Sequence, residues 1–158
     1  MTEVTEQRTN WLGDCEMASW RAYIVGSALL EYRLNRELQL AHGLSMADYE
    51  ILVRLSEQPQ QQMRMSELAN EIAHSKSRIS HQIRRLEAAE LVRRVDCPSD
   101  GRGVLAVLTE QGLAKLQEAA RTHVAGVREH MIDHLEPDEL KALAGIFGRL
   151  TTRLRDLD

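Results

Sequence analysis

Aromatic residues and cysteines are scarce in this sequence. Phe, Trp and Tyr make up only 4% of the 158 residues, so Leu, Ala, Val and Ile must build most of the core. The two cysteines, Cys15 and Cys97, lie far apart and form no C-x-x-C pair, which excludes a structural zinc site of the finger kind. Two such thiols in a reducing compartment are expected to be free.

Long apolar runs are also missing. No stretch approaches the length of a membrane span, and the polar N-terminus has no apolar signal core, so we expect a cytoplasmic protein with no membrane partner. The sequence contains no Ser-His-Asp ordering, phosphate loop or H-E-x-x-H motif, so no enzyme class and no cofactor is indicated. An apolar fraction of 43% is enough for one compact domain.

Positive charge is concentrated in one segment of an acidic chain. Residues 74–102 carry seven Lys or Arg and four Asp or Glu, a net charge of +3, which leaves −7 for the rest of a chain whose total is −4. A basic segment on an acidic body keeps its attraction for phosphate local. The segment is therefore a candidate nucleic-acid interface, although a pure dimerisation module without DNA affinity is also compatible with the overall charge.

The first part of the chain is predicted to be helical. Ala18, Ala22, Val25, Leu29 and Tyr32 follow the three-and-four spacing of one helix face, which predicts a helix over residues 16–41 that ends at Gly43. Ser45 and Asp48 have the spacing of a capping box at the start of the next helix. A Gln- and Pro-containing loop is expected over residues 58–62.

The basic segment has the pattern of a helix-turn-helix. Ser66 is a candidate N-cap for a short helix over residues 67–73. Ser75 or Ser77 is a candidate N-cap for a longer helix that extends to Ala89. Because only a few residues separate the two helices, the pattern predicts a helix-turn-helix.

A β-hairpin is predicted directly after these helices. Apolar and β-branched runs over residues 91–95 and 104–108 flank a tip with one proline and two glycines. A hairpin in this position is a wing. The predicted fold class is therefore mainly α with a small β-hairpin, a winged helix-turn-helix with six helices.

The last part of the chain contains two more predicted helices. Thr109 is a candidate N-cap for a helix that extends to Leu135, and Pro137 is at the position that proline prefers at a helix start. The final helix has the spacing of a heptad seam, formed by Leu140, Leu143, Phe147, Leu150, Leu154 and Leu157. Such a seam needs a partner helix and indicates dimerisation.

These segments resemble the MarR family of bacterial regulators. The clearest stretches are MSELANEIAHSKSRISHQIRRLEAAELVRR (residues 65–94) and DCPSDGRGVLAVLTEQG (residues 96–112). The family's wing pattern matches Asp100, Arg102, Leu108, Thr109 and Gly112, although Gly101 stands where the family often has a second arginine. The resemblance implies one domain over residues 1–158, with dimerisation helices at 16–41 and 110–157 and a DNA-binding lobe at 45–108.

The long helix of the basic segment divides into two faces. Ile79, Ile83 and Leu86 share an apolar face that is expected to pack on the preceding helix. Arg78 is a candidate for bidentate contact with guanine and Gln82 for contact with adenine. The full set of candidate DNA contacts in this helix is Ser75, Lys76, Ser77, Arg78, Ser80, His81, Gln82 and Arg84.

The wing supplies a second set of candidate contacts. Arg102, oriented by Asp100, is predicted to enter the narrow minor groove of a duplex, with an exposed salt bridge as the alternative. A two-fold dimer predicts a pseudo-palindromic operator with half-sites about one helical turn apart. With the family resemblance, the protein is interpreted as a repressor of its own or a neighbouring promoter that a small-molecule effector releases.

Three effector classes remain open. The resemblance implies a small aromatic carboxylate as the effector. Trp20 would supply an aromatic wall and Arg21 a guanidinium for its carboxylate. The alternative is that Trp20 is a core residue and that Arg21 forms an interface salt bridge. A zinc-responsive regulator is a second class, since His130 and His134 form H-x-x-x-H on a helix with His123, although a solvated helix face is favoured. Redox sensing through Cys15 is a third, disfavoured by its acidic neighbours.

Overall fold

The computed structural model describes residues 9–72, 76–97 and 103–157. In these ranges the chain forms six α-helices and three β-strands, which confirms the predicted mainly α class with a winged helix-turn-helix. The elements in chain order are α1 (Asp14–His42), α2 (Met46–Ser56), β1 (Gln62–Arg64), α3 (Met65–Glu71), α4 (Lys76–Ala88), β2 (Val92–Asp96), β3 (Val104–Leu108), α5 (Glu110–His130) and α6 (Pro137–Arg155). Within the described ranges, no helix combines the length and the apolarity needed to cross a bilayer.

Most helix starts and stops follow the local signals. Gly43 ends α1 with a φ of 68°, a left-handed conformation that glycine adopts without steric cost. The Ser45 Oγ accepts from the Asp48 N–H at 3.1 Å, so the predicted capping box begins α2. The Thr109 Oγ1 likewise accepts from the Gly112 N–H at 2.9 Å at the start of α5, and Pro137 opens α6.

The predicted caps of the helix-turn-helix are partly wrong. Arg64, not Ser66, is at the N-cap position of α3, and Ser66 lies in the first turn. Ser77 lies inside α4, which begins at Lys76, so it cannot be the N-cap. Ser75 and Ala73 are outside the described residues. Ser66 and Ser77 were misplaced because a hydroxyl in the first turn of a helix has the same sequence appearance as a capping hydroxyl.

The wing is part of a three-stranded antiparallel sheet with the order β1-β3-β2. Strand β2 pairs with β3 in the predicted hairpin, from Val92 opposite Leu108 to Asp96 opposite Val104. Strand β1 pairs with the other edge of β3, with Met63 opposite Ala106. The prediction of a loop over residues 58–62 missed this strand, whose three residues depend on pairing with a segment about 40 positions later.

The core lies in the winged lobe and extends to the nearer parts of α1 and α5. Its fully buried members include Leu38 of α1, Ile51 and Leu55 of α2, Ile83 of α4 and Ala106 of β3. These side chains come from elements that are distant in sequence, so their burial fixes how the helices sit on the sheet. The Met46 N–H also donates to the Asn35 Oδ1 at 2.8 Å, which links the start of α2 to α1.

The apolar face predicted for α1 is exposed in the single chain. Val25, Leu29 and Tyr32 are 57%, 64% and 61% exposed. On α6, Leu150 and Leu154 of the predicted heptad seam are also exposed, and Leu157 lies in the turn after that helix. The periodicity therefore identified helix faces correctly, but these faces do not pack within one copy of the chain.

Helix α5 is shorter than predicted. It ends at His130, because Met131 leaves the helical region with φ −140° and ψ −65°, and residues 132–134 form a 3₁₀ turn. The prediction of a helix up to Leu135 was therefore wrong. At this end the His130 Nε2 lies 2.6 Å from the Glu37 Oε1, an interaction with α1 that local sequence does not reveal.

Gly112 is expected to tolerate no side chain. A Cβ at this position would lie 2.0 Å from the Leu91 carbonyl oxygen and 2.9 Å from the Leu91 carbonyl carbon. Because the backbone must move to relieve this overlap, we expect Gly112→Ala to lower the free energy of unfolding by about 2–3 kcal/mol in urea denaturation at fixed protein concentration.

Gly148→Ala is the matched control. A Cβ at Gly148 in α6 meets nothing within 4 Å, so this variant should be neutral or more stable by up to about 1 kcal/mol. Equal stability of the two variants would contradict the close packing of Gly112 on Leu91.

Candidate DNA-binding site

The two faces of α4 are clearly separated. Ile79, Ile83 and Leu86 are buried in the core, as predicted. The opposite side presents exposed polar side chains, which are Ser77, Arg78, Ser80, His81 and Arg84. The structure thus brings five of the predicted contact residues to one exposed face.

Gln82 differs from these five residues. It is only partly exposed, and its Oε1 atom is shielded from solvent without a hydrogen-bond partner. A side-chain amide oxygen is costly to bury without a partner, and rotation of the side chain towards solvent or a ligand would remove that cost. Contact between Gln82 and adenine remains a prediction that requires this rotation.

Arg85 anchors α4 to α2. Its Nη2 donates to the Ser45 Oγ at 3.0 Å and forms an ion pair with the Asp48 Oδ2. Asp48 is only 1% exposed, and the same Oδ2 accepts from the Ser45 N–H at 2.9 Å and the Ser45 hydroxyl at 2.6 Å. The carboxylate that caps α2 therefore also fixes the C-terminal half of α4.

Glu87 anchors α4 to strand β2 of the wing, whereas Arg85 anchors it to α2. The Arg94 Nε lies 2.9 Å and its Nη2 2.7 Å from the Glu87 Oε2, and the Arg94 N–H donates to the Glu87 Oε1 at 3.2 Å. These hydrogen bonds from Arg94 hold the pKa of the Glu87 carboxyl below its usual value. A carboxylate that stays ionised is a lasting anchor for the guanidinium.

A groove of about 340 Å³ lies between α3, α4 and the wing. Its lining consists of Arg64, Met65, Ser66, Ser80, Arg94, Gly103 and Val104. Of these, the sequence analysis singled out only Ser80 as a contact. Arg64 and Arg94 were missed because the groove combines four segments. The excess of positive charge over residues 74–102 was a signal for Arg94 but not for Arg64.

The far part of the wing lies outside the described residues, and with it the predicted contacts Asp100 and Arg102. The side chain of Lys76 is also outside the description. The described strands lead towards the tip, and the Cys97 N–H donates to the Gly103 carbonyl oxygen at 2.8 Å just beyond the last strand pair. The hairpin on which Arg102 was predicted is therefore present.

Known proteins resemble this chain over nearly its whole length. The model of the MarR family matches residues 44–104. The crystal structure of AbsC, a MarR family regulator from Streptomyces coelicolor, has 49% sequence identity and a TM-score of 0.88, covering 94% of this chain and 99% of that one. The chain belongs to the MarR family.

Two further relatives agree with this assignment. Sco3205, another MarR family regulator from Streptomyces coelicolor, was solved in complex with DNA; it has 42% identity and a TM-score of 0.88, covering 91% of this chain and 94% of that one. The HTH-type regulator MhqR of Bacillus subtilis is 29% identical over 112 residues, 69% of this chain and 73% of that protein. The chain is a MarR family DNA-binding transcriptional regulator and not an enzyme.

Trp20 and Arg21 lie on an exposed part of α1 in this MarR family protein. The Trp20 ring centroid is 6.0 Å from that of Tyr23, which is 5.3 Å from that of Phe147 in α6. Phe147 was missed as an aromatic neighbour, since only the tertiary structure brings α6 beside α1, whereas the i,i+3 spacing of Trp20 and Tyr23 was a local signal that was overlooked. The single chain does not bury Trp20, which is 52% exposed, so it is not a core residue of one copy.

The three candidate metal-binding histidines have separate neighbours. His123 lies against Tyr49 of α2, with ring centroids 4.6 Å apart, and burial lowers the pKa of its imidazole. His130 contacts Glu37, while the His134 Nε2 lies 2.8 Å from the Glu129 carbonyl oxygen. The prediction that one helix carries both His130 and His134 was wrong, because α5 ends at His130 and His134 lies in the following 3₁₀ turn. In the described part of the chain, no three metal-ligating residues come together.

Neither cysteine forms a disulfide within the described part of the chain. Cys15 is exposed in the first turn of α1, and Cys97 is buried at the base of the wing. The two residues lie at opposite parts of the fold. Redox sensing through Cys15 stays an untested and disfavoured alternative.

Arg85 is expected to be important for stability. Arg85→Gln leaves the nearly inaccessible Asp48 carboxylate without its cation. Loss of a partner from a fully buried pair costs about 3–5 kcal/mol. Because Arg85 itself is half exposed and solvent weakens the pair, we expect a loss of about 2 kcal/mol in the free energy of unfolding, measured by urea denaturation.

Arg84→Gln provides the control for Arg85→Gln. It removes the same charge from the neighbouring, exposed position of α4, so its stability should stay within about 0.5 kcal/mol of the wild type. If Arg85→Gln were no less stable than Arg84→Gln, the anchor to Asp48 would contribute nothing.

Proposed function

We propose that this protein is a dimeric transcriptional repressor that binds a pseudo-palindromic operator and is released by a small-molecule effector. The observation that carries the proposal is the exposed polar face of α4, opposite a face buried in the core. A helix anchored in this way can enter the major groove without losing its own packing. The DNA-bound relative Sco3205, 42% identical, supports a duplex as the partner.

Individual roles follow from side-chain chemistry. Arg78 has the paired donors that match guanine O6 and N7, and Gln82 is proposed to read adenine after its side chain rotates outward. Ser75, Lys76 and Ser77 at the start of α4 are proposed to hold phosphate, together with the helix N-terminus. Ser80, His81 and Arg84 complete the contact face, and Arg102, oriented by Asp100, is proposed to enter the minor groove.

Dimerisation is proposed to occur through the apolar faces of the first and last helices. Segments 16–41 and 110–157 contain these faces, and residues 45–108 form the DNA-binding lobe. An unpaired apolar stripe of this kind on both α1 and α6 is costly to leave in water. A second copy of the chain would cover it and place two α4 helices about one helical turn of DNA apart.

A small aromatic carboxylate is the proposed effector. Trp20 stands at the end of a row of rings with Tyr23 and Phe147, next to the exposed Arg21. A guanidinium offers bidentate hydrogen bonds to a carboxylate, and the aromatic row offers an apolar wall for a ring. Because α1 and α6 are also the proposed dimer helices, a ligand here would alter the spacing of the two lobes.

DNA binding is tested by Arg78→Ala. A duplex enriched from a random library by the wild-type protein serves as the operator, and a scrambled duplex of the same composition as the non-specific reference. We expect Arg78→Ala to weaken operator binding by roughly 10- to 100-fold, because one bidentate base contact is worth about 1–3 kcal/mol. Titration by fluorescence anisotropy measures the change.

Arg121→Ala in α5 is the control for loss of an exposed arginine and should bind like the wild type.

Sedimentation of all samples should give the mass of two chains. A single-chain mass, or a wild-type protein that retains no duplex at low salt, would overturn the proposal.

The effector is tested by thermal unfolding with a panel of aromatic carboxylates. A ligand that binds the folded state raises the midpoint temperature, and Arg21→Gln should abolish the shift because the carboxylate loses its guanidinium. Arg33→Gln, elsewhere on the exposed surface of α1, is the control. Equal shifts in the wild type and Arg21→Gln would remove Arg21 from the site.

A further inference from the structure

We propose that Arg94 contacts a backbone phosphate of the bound duplex and that Glu87 is the residue that positions it. This inference rests on the proposed function, since it requires α4 and the wing to bind DNA together. Neither residue lies among the contacts predicted from the sequence. The pair joins the end of α4 to strand β2 and lies beside the groove between α3, α4 and the wing.

The location of the groove is the first argument. If α4 enters the major groove and the wing enters the adjacent minor groove, the sugar–phosphate backbone that separates these grooves must cross between the two elements. The described groove lies there, since Ser80 belongs to the exposed face of α4 and Gly103 and Val104 form the base of the wing. A group in this groove therefore meets backbone and not base edges.

The chemistry of the lining is the second argument. The groove offers two guanidinium groups, from Arg64 and Arg94, and two hydroxyl groups, from Ser66 and Ser80. None of the described residues that line it is acidic. Charge-assisted hydrogen bonds from guanidinium groups to phosphate are among the strongest in proteins, and hydroxyl groups add further donors.

The geometry of the ion pair is the third argument. Glu87 accepts from the Nε and Nη2 of Arg94 with a single oxygen, so the contact does not use the Nη1 donors. Arg94 is 44% exposed and remains accessible to a second anion. Since Arg94 has several rotatable bonds, fixing one edge of its guanidinium reduces the entropy lost when the other edge binds phosphate.

Removal of Glu87 would have opposite effects on DNA binding depending on whether the residue positions Arg94 or is an incidental surface charge. An exposed ion pair contributes little to stability. A carboxylate near DNA also repels phosphate, so removal of an incidental Glu87 would strengthen binding to every duplex. Removal of a positioning residue would instead weaken the operator complex, in which α4 and the wing must keep a fixed separation.

The experiment compares Glu87→Gln, Arg94→Gln and the double variant on the enriched and scrambled duplexes. For Glu87→Gln we expect operator affinity to fall about tenfold, while affinity for the scrambled duplex stays equal or rises. For Arg94→Gln we expect weaker binding to both duplexes and a salt dependence reduced by about one phosphate contact. The double variant should match Arg94→Gln, because Glu87 acts through Arg94.

Asp138→Asn is the matched control. Asp138 forms an exposed ion pair with Lys141 in α6, with 3.0 Å between the Lys141 Nζ and the Asp138 Oδ1, and its replacement changes the net charge by the same amount. Operator affinity of this variant should equal that of the wild type, and all variants should unfold at the wild-type temperature.

Operator binding by Glu87→Gln that equals or exceeds that of the wild type would overturn the positioning role. An unchanged salt dependence for Arg94→Gln would overturn the phosphate contact. Either result leaves the proposed function intact if the wild type still prefers its enriched duplex over the scrambled one, whereas loss of that preference in the wild type defeats the proposed function itself.

Discussion

Three aliphatic side chains on the buried face of α4 determine which of its residues can contact a duplex. Ile79, Ile83 and Leu86 are buried in the core of the winged lobe, and this burial fixes the rotation of the helix about its own axis. Two polar anchors then fix its C-terminal half, one to Asp48 of α2 and the other to Arg94 of β2. The hydrophobic contact decides which face is outside, and the ion pairs refine its position.

A second constraint acts on the helices outside the lobe. The apolar faces predicted for α1 and α6 lie outside this lobe, and Leu29, Tyr32 and Leu154 remain exposed in the single chain. Burial of such residues is the dominant favourable term in protein association. The same physical effect that packs α4 within one copy is the one proposed to bring a second copy against α1 and α6.

Most features that depend on contacts between residues close in sequence were predicted correctly. Ser45, Thr109 and Pro137 act within a few residues, so their positions predicted helix starts correctly. The alternation of the wing likewise predicted β2 and β3 to within one residue. The family pattern added the DNA-binding function, which no local periodicity could supply.

The features that escaped prediction depend on contacts between distant segments. Strand β1 exists through its pairing with β3, and the end of α5 coincides with the contact between His130 and Glu37, 93 residues apart. The inward position of the Gln82 Oε1 and the groove beside Arg94 likewise require the packed structure. Sequence periodicity assigns a side chain to one face of a helix or strand, but it does not show which neighbouring element that face contacts.

The junction at Thr109 has a mechanical consequence. Its hydroxyl donates to the Glu90 carbonyl oxygen at 2.7 Å while accepting from the first turn of α5, and Gly112 of that turn packs on Leu91. Strand β3 is therefore joined directly to α5. A 21-residue helix is about 30 Å long. Thr109 is the single residue between β3 and α5, so a tilt imposed on this helix would be passed to β3 through the contacts of that residue.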